Sequence, residues 1–495
     1  MNALDYVKQF NGFLWNDFLM YVLLAVGIFY TIYLGFPQIR HFGLMFKYAF
    51  GPAFKRRKKR DKHAKQDEAH KVNSFQALAT AVAAQVGTGN IGGVATAIAT
   101  GGVGAIFWMW IIALIGSATG FIESTLAQIY KEPLAKGGFY GGPAYYIRYG
   151  LNNKFLSVLF AILISVTFGW IYNSVQANTL AASLVTFDFD VTYTGAVVAV
   201  LVGLVIFGGI SRVAKVSEVL VPIMAVLYIL TALFVVIMNI EHFPHVIYTI
   251  VTSAFDPYAA GGGFMGATMM NGIKRGLFSN EAGEGSVPNA AATAAVNHPV
   301  EQGLVQAFGV FLDTFIICTA SAFIVLVVGD YSTTGLTGIA LVQHNLAQQL
   351  GSWAPLAVAV FIVMFSFSSL VGNYYYGEIN ISHLTDKKGY LYAFRIGVII
   401  MTFLGSIASL DLVWNLADLF MAFLVLTNVS SIVRMGRTAG LALDDYIKQR
   451  KAGVESPVFH RSVLNHPYGV VWWGDGQTTD SSVPPTPIEN TVENR

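Results

Sequence analysis

The stretch 84–93, AQVGTGNIGG, combines four glycines with the polar side chains of Gln85, Thr88 and Asn90 inside an apolar segment. Each glycine disfavours a helix by about 1 kcal/mol relative to alanine. A helix in lipid, however, cannot leave its backbone groups unpaired. We therefore predict a membrane helix that is interrupted near its middle, where free N–H and C=O groups bind a ligand or an ion, as is typical of transporters.

The two sides of this predicted break suit opposite charges. The N–H groups of Thr88 and Gly89 open a half-helix, where free donors and the helix dipole favour a carboxylate. The carbonyl groups of Ala83 and Val86, on the other side, suit a dehydrated Na+. Close packing of helices through small residues is the alternative explanation for the glycines.

Two acidic residues lie within predicted membrane segments, where a charge is costly and requires a partner. Asp313 is followed by Thr314. It either coordinates a cation together with that threonine, makes a structural hydrogen bond, or relays a proton, and these three alternatives stay open. Glu123 lies nearer the predicted cytoplasmic side, and we expect it to support a broken helix by accepting N–H groups.

Amide and hydroxyl side chains supply further candidate ligands. Asn173 and Gln176 are three residues apart and therefore share one face of a helix. They either contact a substrate or join helices to each other. Ser368 and Ser369 are adjacent hydroxyls, which suit Na+ together with the two carbonyl groups at the predicted break.

The stretch 276–286 contains helix caps and hinge residues and suits a gate on the cytoplasmic side. Asn280 and Glu281 are the side chains that we expect to support this gate. Lys274 and Arg275, just before it, are expected to extend to the aqueous face, as cations near the ends of membrane helices commonly do.

The pattern G-x-G-x-x-G occurs at 87–92 and again at 261–266. In dinucleotide-binding proteins it follows a β-strand and precedes an acidic residue by about 20 positions. Here the flanks are apolar and helical, and Trp108 lies near the place of that acid. We therefore exclude a dinucleotide site.

Composition places the chain in a membrane. Of its 495 residues, 55% are hydrophobic and 12% are charged, and the mean hydropathy is +0.57. A soluble protein carries about twice that share of charge. The one cysteine, Cys318, excludes a disulfide framework, and neither a metal-binding His/Cys pattern nor a Ser/His/Asp arrangement indicates an enzyme.

The hydropathy pattern predicts an all-α polytopic membrane protein, since a span requires about 20 apolar residues. It predicts eleven transmembrane helices: 17–37, 74–99, 104–130, 154–186, 191–208, 214–239, 262–283, 302–328, 354–376, 391–407 and 411–434.

Basic residues orient these spans. If the lysine- and arginine-rich run 55–60 is cytoplasmic, the N-terminus lies outside and the C-terminus inside. Of the 30 basic residues, only Lys8 then falls on the outer side. The run would also suit a nucleic-acid patch, but topology explains it, and no nucleic-acid partner is expected.

The last ten spans divide into two halves of opposite orientation. The first half, about 74–239, opens with the interrupted helix, and the second half, about 262–434, opens with the glycine-rich segment 261–266. Interrupted helices at matching positions indicate an inverted-repeat transporter with a central site. In the second helix, the residues that we predict to face the substrate are Gly263, Phe264, Gly266 and Thr268.

The chain accordingly divides into three parts. Residues 1–73 form an N-terminal transmembrane helix and a basic cytoplasmic loop. Residues 74–437 form the transporter core. Residues 438–495 form a cytoplasmic tail, whose Ser-, Thr- and Pro-rich end we expect to be disordered.

Several strings together resemble the alanine or glycine:cation symporter family, the sodium:alanine symporters. The resemblance extends from about residue 74 to 437. Glu284 departs from it, because the family often has an apolar or small residue there. The matching strings are GTGNIGG at 87–93, GGVGAIFWMWIIALIG at 101–116, GGPAYY at 141–146, RGLFSNEAG at 275–283 and GNYYYGE at 372–378.

This resemblance implies an eleven-helix protein whose last ten helices resemble the fold of the bacterial leucine transporter class. It also implies Na+-coupled uptake of alanine or glycine by alternating access. By the same resemblance, Thr88 and Gly89 hold the substrate carboxylate, and Gln85 and Asn90 lie near substrate and cation. The hydroxyl pair 368–369 matches a sodium site.

The sequence therefore predicts a secondary transporter of the bacterial inner membrane that takes up alanine or glycine with Na+. Its expected partners are the amino acid, Na+ and membrane lipid, and no cofactor is expected beyond the co-transported ion. Proton coupling through Asp313 is one alternative, and a channel or a transport-like sensor is the other.

Overall fold

A computed structural model of the chain describes residues 3–54, 72–134, 138–208, 210–255, 264–327 and 331–474. The described residues are almost entirely helical. The described sheet is a two-stranded antiparallel hairpin, β1 (Glu132–Pro133) and β2 (Phe139–Tyr140), in which Glu132 is opposite Tyr140. The helical class predicted from composition is confirmed, whereas the basic run 55–60 and residues 475–495 lie outside the described part.

The described residues of the first half form thirteen α-helices. They are α1 (Ala3–Leu14), α2 (Met20–Tyr33), α3 (Pro37–Arg40), α4 (Phe42–Phe54), α5 (Ser74–Gln85), α6 (Val94–Gly101), α7 (Ala105–Ile129), α8 (Pro143–Gly150), α9 (Lys154–Val166), α10 (Asn173–Val185), α11 (Val191–Ile206), α12 (Ile210–Met238) and α13 (Phe243–Ser253).

The described second half contains eight more α-helices. They are α14 (Phe264–Asn280), α15 (Val287–Ala291), α16 (Pro299–Phe311), α17 (Thr319–Leu326), α18 (Gly338–Leu350), α19 (Ala354–Leu384), α20 (Lys388–Ile407) and α21 (Leu410–Lys451). Wider π-helical turns join or follow several helices, at Trp15–Leu19, Gly89–Gly93, Thr167–Tyr172 and Leu312–Cys318.

Six helical segments of the described chain are long and apolar enough to cross a membrane. The number becomes seven if Pro222–Met238 and Ile240–Ser253, which are bent by 82°, count as one span. The predicted spans 17–37 and 191–208 fall on the shorter apolar helices α2 and α11. A multi-pass membrane protein is therefore established, while the count of eleven stays a prediction.

Apolar side chains on the outside of the bundle identify its lipid-facing surface. Val197, Leu201 and Leu204 of α11 are exposed, as are Leu230 and Ile237 of α12. In a water-soluble protein, exposed apolar patches of this kind would be a liability or a binding surface. In a membrane protein they contact hydrocarbon, so burial and polarity concentrate in the interior.

The first interrupted helix lies where the sequence predicts it. A capping box starts α5, since the Asn73 side chain accepts from the Gln76 N–H and the Gln76 side chain accepts from the Asn73 N–H. The helix ends at Gln85, Val86 leaves helical geometry with ψ at 88°, and a π-helical turn then leads into α6. The two half-helices are thus separated at 86–88.

The second predicted interruption, at 261–266, lies only partly within the described residues. Residues 261–263 lie outside the described chain, and Gly266 lies within the continuous helix α14. The described interruption is at 281–286, between α14 and the short α15. Glu281, Gly283 and Gly285 there have φ of 57°, 95° and 81°, a left-handed conformation that ends a helix. This interruption lies within the stretch 276–286, where the sequence predicts helix caps and hinge residues.

The predicted boundary between residues 437 and 438 falls inside α21, which continues to Lys451. After it, the C-terminal segment 452–474 folds back against the loops that follow α7 and α15. The Phe459 N–H donates to the Asn297 carbonyl at 3.0 Å, and the Trp473 indole N–H donates to the Gln128 carbonyl at 2.9 Å.

Candidate functional site

The backbone of the first break is held by side-chain amides. The Gly87 N–H donates to the Asn90 side-chain oxygen at 2.9 Å, and the Thr88 N–H donates to the Gln176 side-chain oxygen at 3.0 Å. A Cβ atom added at Gly87 would lie 2.8 Å from that Gln176 oxygen. The Thr88 N–H, which we predict to donate to the substrate carboxylate, therefore already donates to an oxygen atom. A ligand carboxylate oxygen can take the place of that acceptor.

A buried polar cluster lies beside Asn90. Its side-chain N–H donates to Asp313 Oδ1 at 2.5 Å, and the Ser279 hydroxyl donates to Asp313 Oδ2 at 2.7 Å. The Thr314 hydroxyl donates to the same Asp313 oxygen at 3.1 Å. The Asn280 amide in turn donates to Thr314 at 3.2 Å. The structure thus brings the predicted pair Asp313 and Thr314 to the first break.

Three acceptor oxygens meet on the other side of the break. The Ser369 hydroxyl lies 3.2 Å from the Ala83 carbonyl oxygen and 3.4 Å from the Val86 carbonyl oxygen. Ser368, the neighbouring predicted ligand, is not brought to this point. Its hydroxyl donates to the Phe365 carbonyl of its own helix at 2.9 Å, because adjacent residues of a helix face different directions.

Gln85 connects the two interrupted helices. Its side-chain N–H donates to the Asn280 carbonyl, the last residue of α14, at 2.6 Å. Its side-chain oxygen is buried and accepts no hydrogen bond from the described residues. Gln85 is therefore placed between the two breaks, with one free acceptor.

The two predicted amides of the 173–176 pair have different surroundings. Gln176 reaches the first break, as described above. The Asn173 N–H donates to the Gly169 and Leu370 carbonyls, and its oxygen accepts from Asn373 at 3.1 Å. Asn173 thus joins helices, which is the second of its two predicted roles.

The second break is lined with buried carboxylates. Glu123 accepts from the Gly283 N–H at 3.2 Å and from the Asn428 amide at 2.6 Å. Glu281 accepts from the Ser286 hydroxyl at 2.5 Å, and Glu284 accepts from the Tyr172 hydroxyl at 3.0 Å. Glu123 therefore contacts the backbone of a broken helix, the geometry expected of a supporting residue.

Of the second group of predicted substrate residues, the described members Gly266 and Thr268 are not brought to the two breaks. Gly263 and the Phe264 side chain lie outside the described part of the structure. Gly266 is exposed, and a Cβ added there would contact nothing within 4 Å. Thr268 lines a surface cavity with Gly102 and Tyr331, away from 87–90.

Aromatic residues that the sequence analysis did not select cover the first break. A Cβ atom added at Gly89 would lie 2.8 Å from the Phe278 ring. That ring contacts Tyr172 and Trp414, each with centroids 4.7 Å apart. Phe278 belongs to the string RGLFSNEAG and directly precedes Ser279. This position in the string is the sequence feature by which Phe278 could have been selected.

Lys274 and Arg275 differ from the expectation that they extend to water. They are 9% and 5% exposed, and both pair with Asp418, Lys274 at 2.8 Å. The Arg275 guanidinium lies 4.2 Å from the Trp414 ring centroid. The buried carboxylate of Asp418 offers both cations a partner inside the bundle, so neither extends to the surface.

Two interrupted helices that meet in a buried polar site, inside a multi-pass helical bundle, define a membrane transporter. Comparison with known proteins specifies the family. The model of the sodium:alanine symporter family matches residues 1–461. The chain belongs to this family, so it is a symporter and not an enzyme.

Relatives match over nearly their whole length. The chain is 47% identical over 464 residues to a probable sodium/glutamine symporter, GlnT, of Bacillus subtilis, covering 94% of each chain. It is 39% identical over 440 residues to the sodium/alanine symporter AgcS of Methanococcus maripaludis, covering 88% of this chain and 95% of the other. Among solved structures it is similar to Mhp1, a nucleobase-cation-symport-1 family transporter, with a TM-score of 0.47, 14% identity, and coverage of 78% and 81%.

Proposed function

We propose that this protein couples the uptake of alanine or glycine to the entry of Na+ by alternating access. The observation that carries the proposal is that two interrupted helices meet around Gln85, Asn90 and Asp313. Their interruptions lie at 86–88 and 281–286. Half-helix ends of opposite polarity bind a zwitterion and a cation in the same place. Membership of the sodium:alanine symporter family supports the same conclusion.

The substrate in this proposal is a small neutral amino acid. Its carboxylate takes the place of the Gln176 oxygen at the Thr88 N–H, and side-chain oxygens at the break accept from its ammonium group. Phe278 lies against Gly89 and leaves little width for a side chain. Glutamine, which appears in the name of one relative, is the larger competitor that binding experiments should include.

Sodium has two sets of candidate ligands. One consists of the Ser369 hydroxyl with the carbonyl oxygens of Ala83 and Val86, which lie 3.2 Å and 3.4 Å from that hydroxyl. The other consists of Asp313 and Thr314 with Asn90. Carboxylate, carbonyl and hydroxyl oxygens are suitable ligands for a hard cation.

Proton coupling is the second candidate, and Asp313 is the reason. Three donors surround its carboxylate, and no described Lys, Arg or His forms an ion pair with it. A buried carboxylate without a cation can exchange a proton instead of Na+. We place the protein in the inner membrane of a bacterium, with eleven spans, the N-terminus outside and the C-terminus in the cytoplasm.

Uptake into proteoliposomes tests the proposal. Radiolabelled alanine is offered under an imposed Na+ gradient alone, and separately under a pH gradient alone, with unlabelled glycine, D-alanine and glutamine as competitors. We expect accumulation under the Na+ gradient and competition by glycine. Accumulation that ignores Na+ and follows only pH would replace Na+ coupling by proton coupling, and no accumulation in either arm would overturn the proposal.

A further inference from the structure

Lys274, Arg275 and Asp418 form a buried group with one positive charge in excess. The three residues are 9%, 5% and 6% exposed. Lys274 Nζ lies 2.8 Å from Asp418 Oδ2, and Arg275 Nη2 pairs with the other carboxylate oxygen. Within the described ranges, no second carboxylate forms an ion pair with either cation. An unbalanced charge inside a protein is costly, so this group calls for an anion.

The guanidinium also has an unused donor. Arg275 Nη1 is buried and donates no hydrogen bond to any described residue. The ring faces nearby supply partial compensation only, with Trp414 at 4.2 Å from Arg275 and Trp15 at 5.5 Å from Lys274. A buried charged donor without an acceptor carries a large desolvation penalty. A small anion at Nη1 would both balance the charge and use this donor.

The position of the group relates it to the candidate substrate site. Lys274 and Phe278 are four residues apart in α14 and therefore one turn from each other. The Trp414 ring contacts Arg275 on one side and Phe278 on the other. Because the Phe278 ring covers Gly89, the cations lie beyond this ring, on the side of it away from the break at 281–286.

We propose that Lys274 and Arg275 form a binding site for one small monovalent anion, separated from the first break by Phe278 and Trp414. Two sources supply such an anion: the carboxylate of an incoming amino acid, and chloride. The first source rests on the proposed amino acid transport, whereas the second does not. The site would be neutral when it is occupied.

Anion-dependent thermal stability of the purified full-length protein tests this site. Sodium acetate and sodium chloride are titrated against the sodium salt of a bulky sulfonate, because a ligand that binds the folded protein raises its Tm. We expect a saturable rise with at least one of the two anions. In Lys274→Gln the pair Arg275–Asp418 stays balanced and the protein stays folded, but the apparent anion affinity should fall at least tenfold. Arg275→Gln should lose the response as well.

The control variant is Lys8→Gln, which removes an exposed cation that pairs with Asp411 and should leave the anion response unchanged. The site is overturned if the wild type shows no saturable response, or if Lys274→Gln keeps it. The number of radiolabelled alanine molecules bound per chain separates the two sources. Two molecules in the wild type and one in Lys274→Gln indicate the amino acid carboxylate. One molecule in the wild type, together with a rise of the Tm in chloride, indicates chloride. Absence of alanine binding would refute the proposed function and leave the anion titration interpretable.

Discussion

At the scale of single residues, Gly89 is the position where the absence of a side chain has a direct consequence. A Cβ atom there would lie 2.8 Å from the Phe278 ring, closer than van der Waals contact allows. We expect Gly89→Ala to weaken alanine binding at least tenfold, which corresponds to about 1.4 kcal/mol, because Phe278 must move from the site it covers. Equilibrium binding of radiolabelled alanine to purified protein measures the change.

Gly266→Ala is the matched control for this variant. Gly266 is also a glycine within a helix, but a Cβ atom added there contacts nothing within 4 Å. Alanine binding should therefore be unchanged in this variant. Equal affinities of the wild type and Gly89→Ala would show that the glycine permits helix packing and has no part in the site.

Asp313 decides between the two coupling ions. In Asp313→Asn the negative charge disappears, and the one remaining side-chain oxygen can accept either from Asn90 or from Ser279 and Thr314, which donate to different oxygens of Asp313. If Asp313 binds Na+, the Na+ concentration for half-maximal uptake should rise at least tenfold and the pH dependence should be unaffected. Uptake at a series of Na+ concentrations and pH values measures both, and lost pH dependence with unchanged Na+ dependence would contradict sodium coordination by this residue.

Residue types in the sequence were enough to select many residues of this candidate site, whereas the contacts of the other residues depend on helix geometry. Asn90 and Asp313 were selectable because a polar residue in lipid needs a partner. Ser368 and Ser369 were not separable by type, and only the structure shows which one faces the carbonyls of Ala83 and Val86. Asn173, for the same reason, is distinguished from Gln176 only by its three-dimensional neighbours.

At the scale of elements, the second break depends on Glu123 of α7. This carboxylate accepts the Gly283 N–H and the Asn428 amide, and the same amide donates to the Gly283 carbonyl at 2.9 Å. Replacing Glu123 with Ala leaves these buried donors unpaired, which costs about 1–3 kcal/mol for each lost group. We expect a lower Tm of the detergent-solubilised protein and slower alanine exchange.

Glu123→Gln should fall between the wild type and Glu123→Ala, since its amide oxygen retains one acceptor for the Gly283 N–H. An unchanged Tm in Glu123→Ala would show that the break at 281–286 holds its conformation without this contact. The sequence predicted a second interruption at 261–266 from its glycine density, and it predicted helix caps and hinge residues at 276–286, the stretch that contains this break. It could not show that Glu281, Gly283 and Gly285 adopt positive φ, since this conformation is imposed by packing against α7 and α21.

At the scale of the whole molecule, the C-terminal segment 452–474 contacts the loops after both α7 and α15. Lys131 is fully buried there, and its ammonium donates to the Gln128 side chain at 2.7 Å and to the Ala294 carbonyl at 2.9 Å. Burial lowers the pKa of Lys131 well below its usual value. The Ala295 N–H donates to the Val72 carbonyl, so the same contact region includes the start of α5.

His298 gives this region a pH dependence. Its ring nitrogen accepts from the Val300 N–H at 3.2 Å and so caps α16, and burial lowers its pKa from the usual 6.5. The folded protein therefore binds the proton less readily than the unfolded chain, and stability present above about pH 6.5 is lost as the pH falls. We expect the Tm to decrease between pH 7 and pH 5.

His298→Asn separates this residue from other titrating groups. Asparagine keeps a cap acceptor but does not titrate, so the Tm of this variant should change less over the same pH range. A decrease as steep as that of the wild type would assign the pH dependence to other groups.

Trp473 connects the C-terminal segment 452–474 to the core, although this segment follows the last predicted span. Its indole is 7% exposed, donates to the Gln128 carbonyl, and packs against Phe459 with ring centroids 5.4 Å apart. Trp473→Ala removes this packing, so we expect a loss of about 3 kcal/mol and a clearly lower Tm in detergent. The control is Tyr468→Ala, which removes an aromatic ring that is 65% exposed in the same segment and should leave the Tm unchanged. Equal Tm values for the wild type and Trp473→Ala would show that the segment 452–474 adds no stability to the transporter, whereas a loss confined to Trp473→Ala would make this segment part of the folded core.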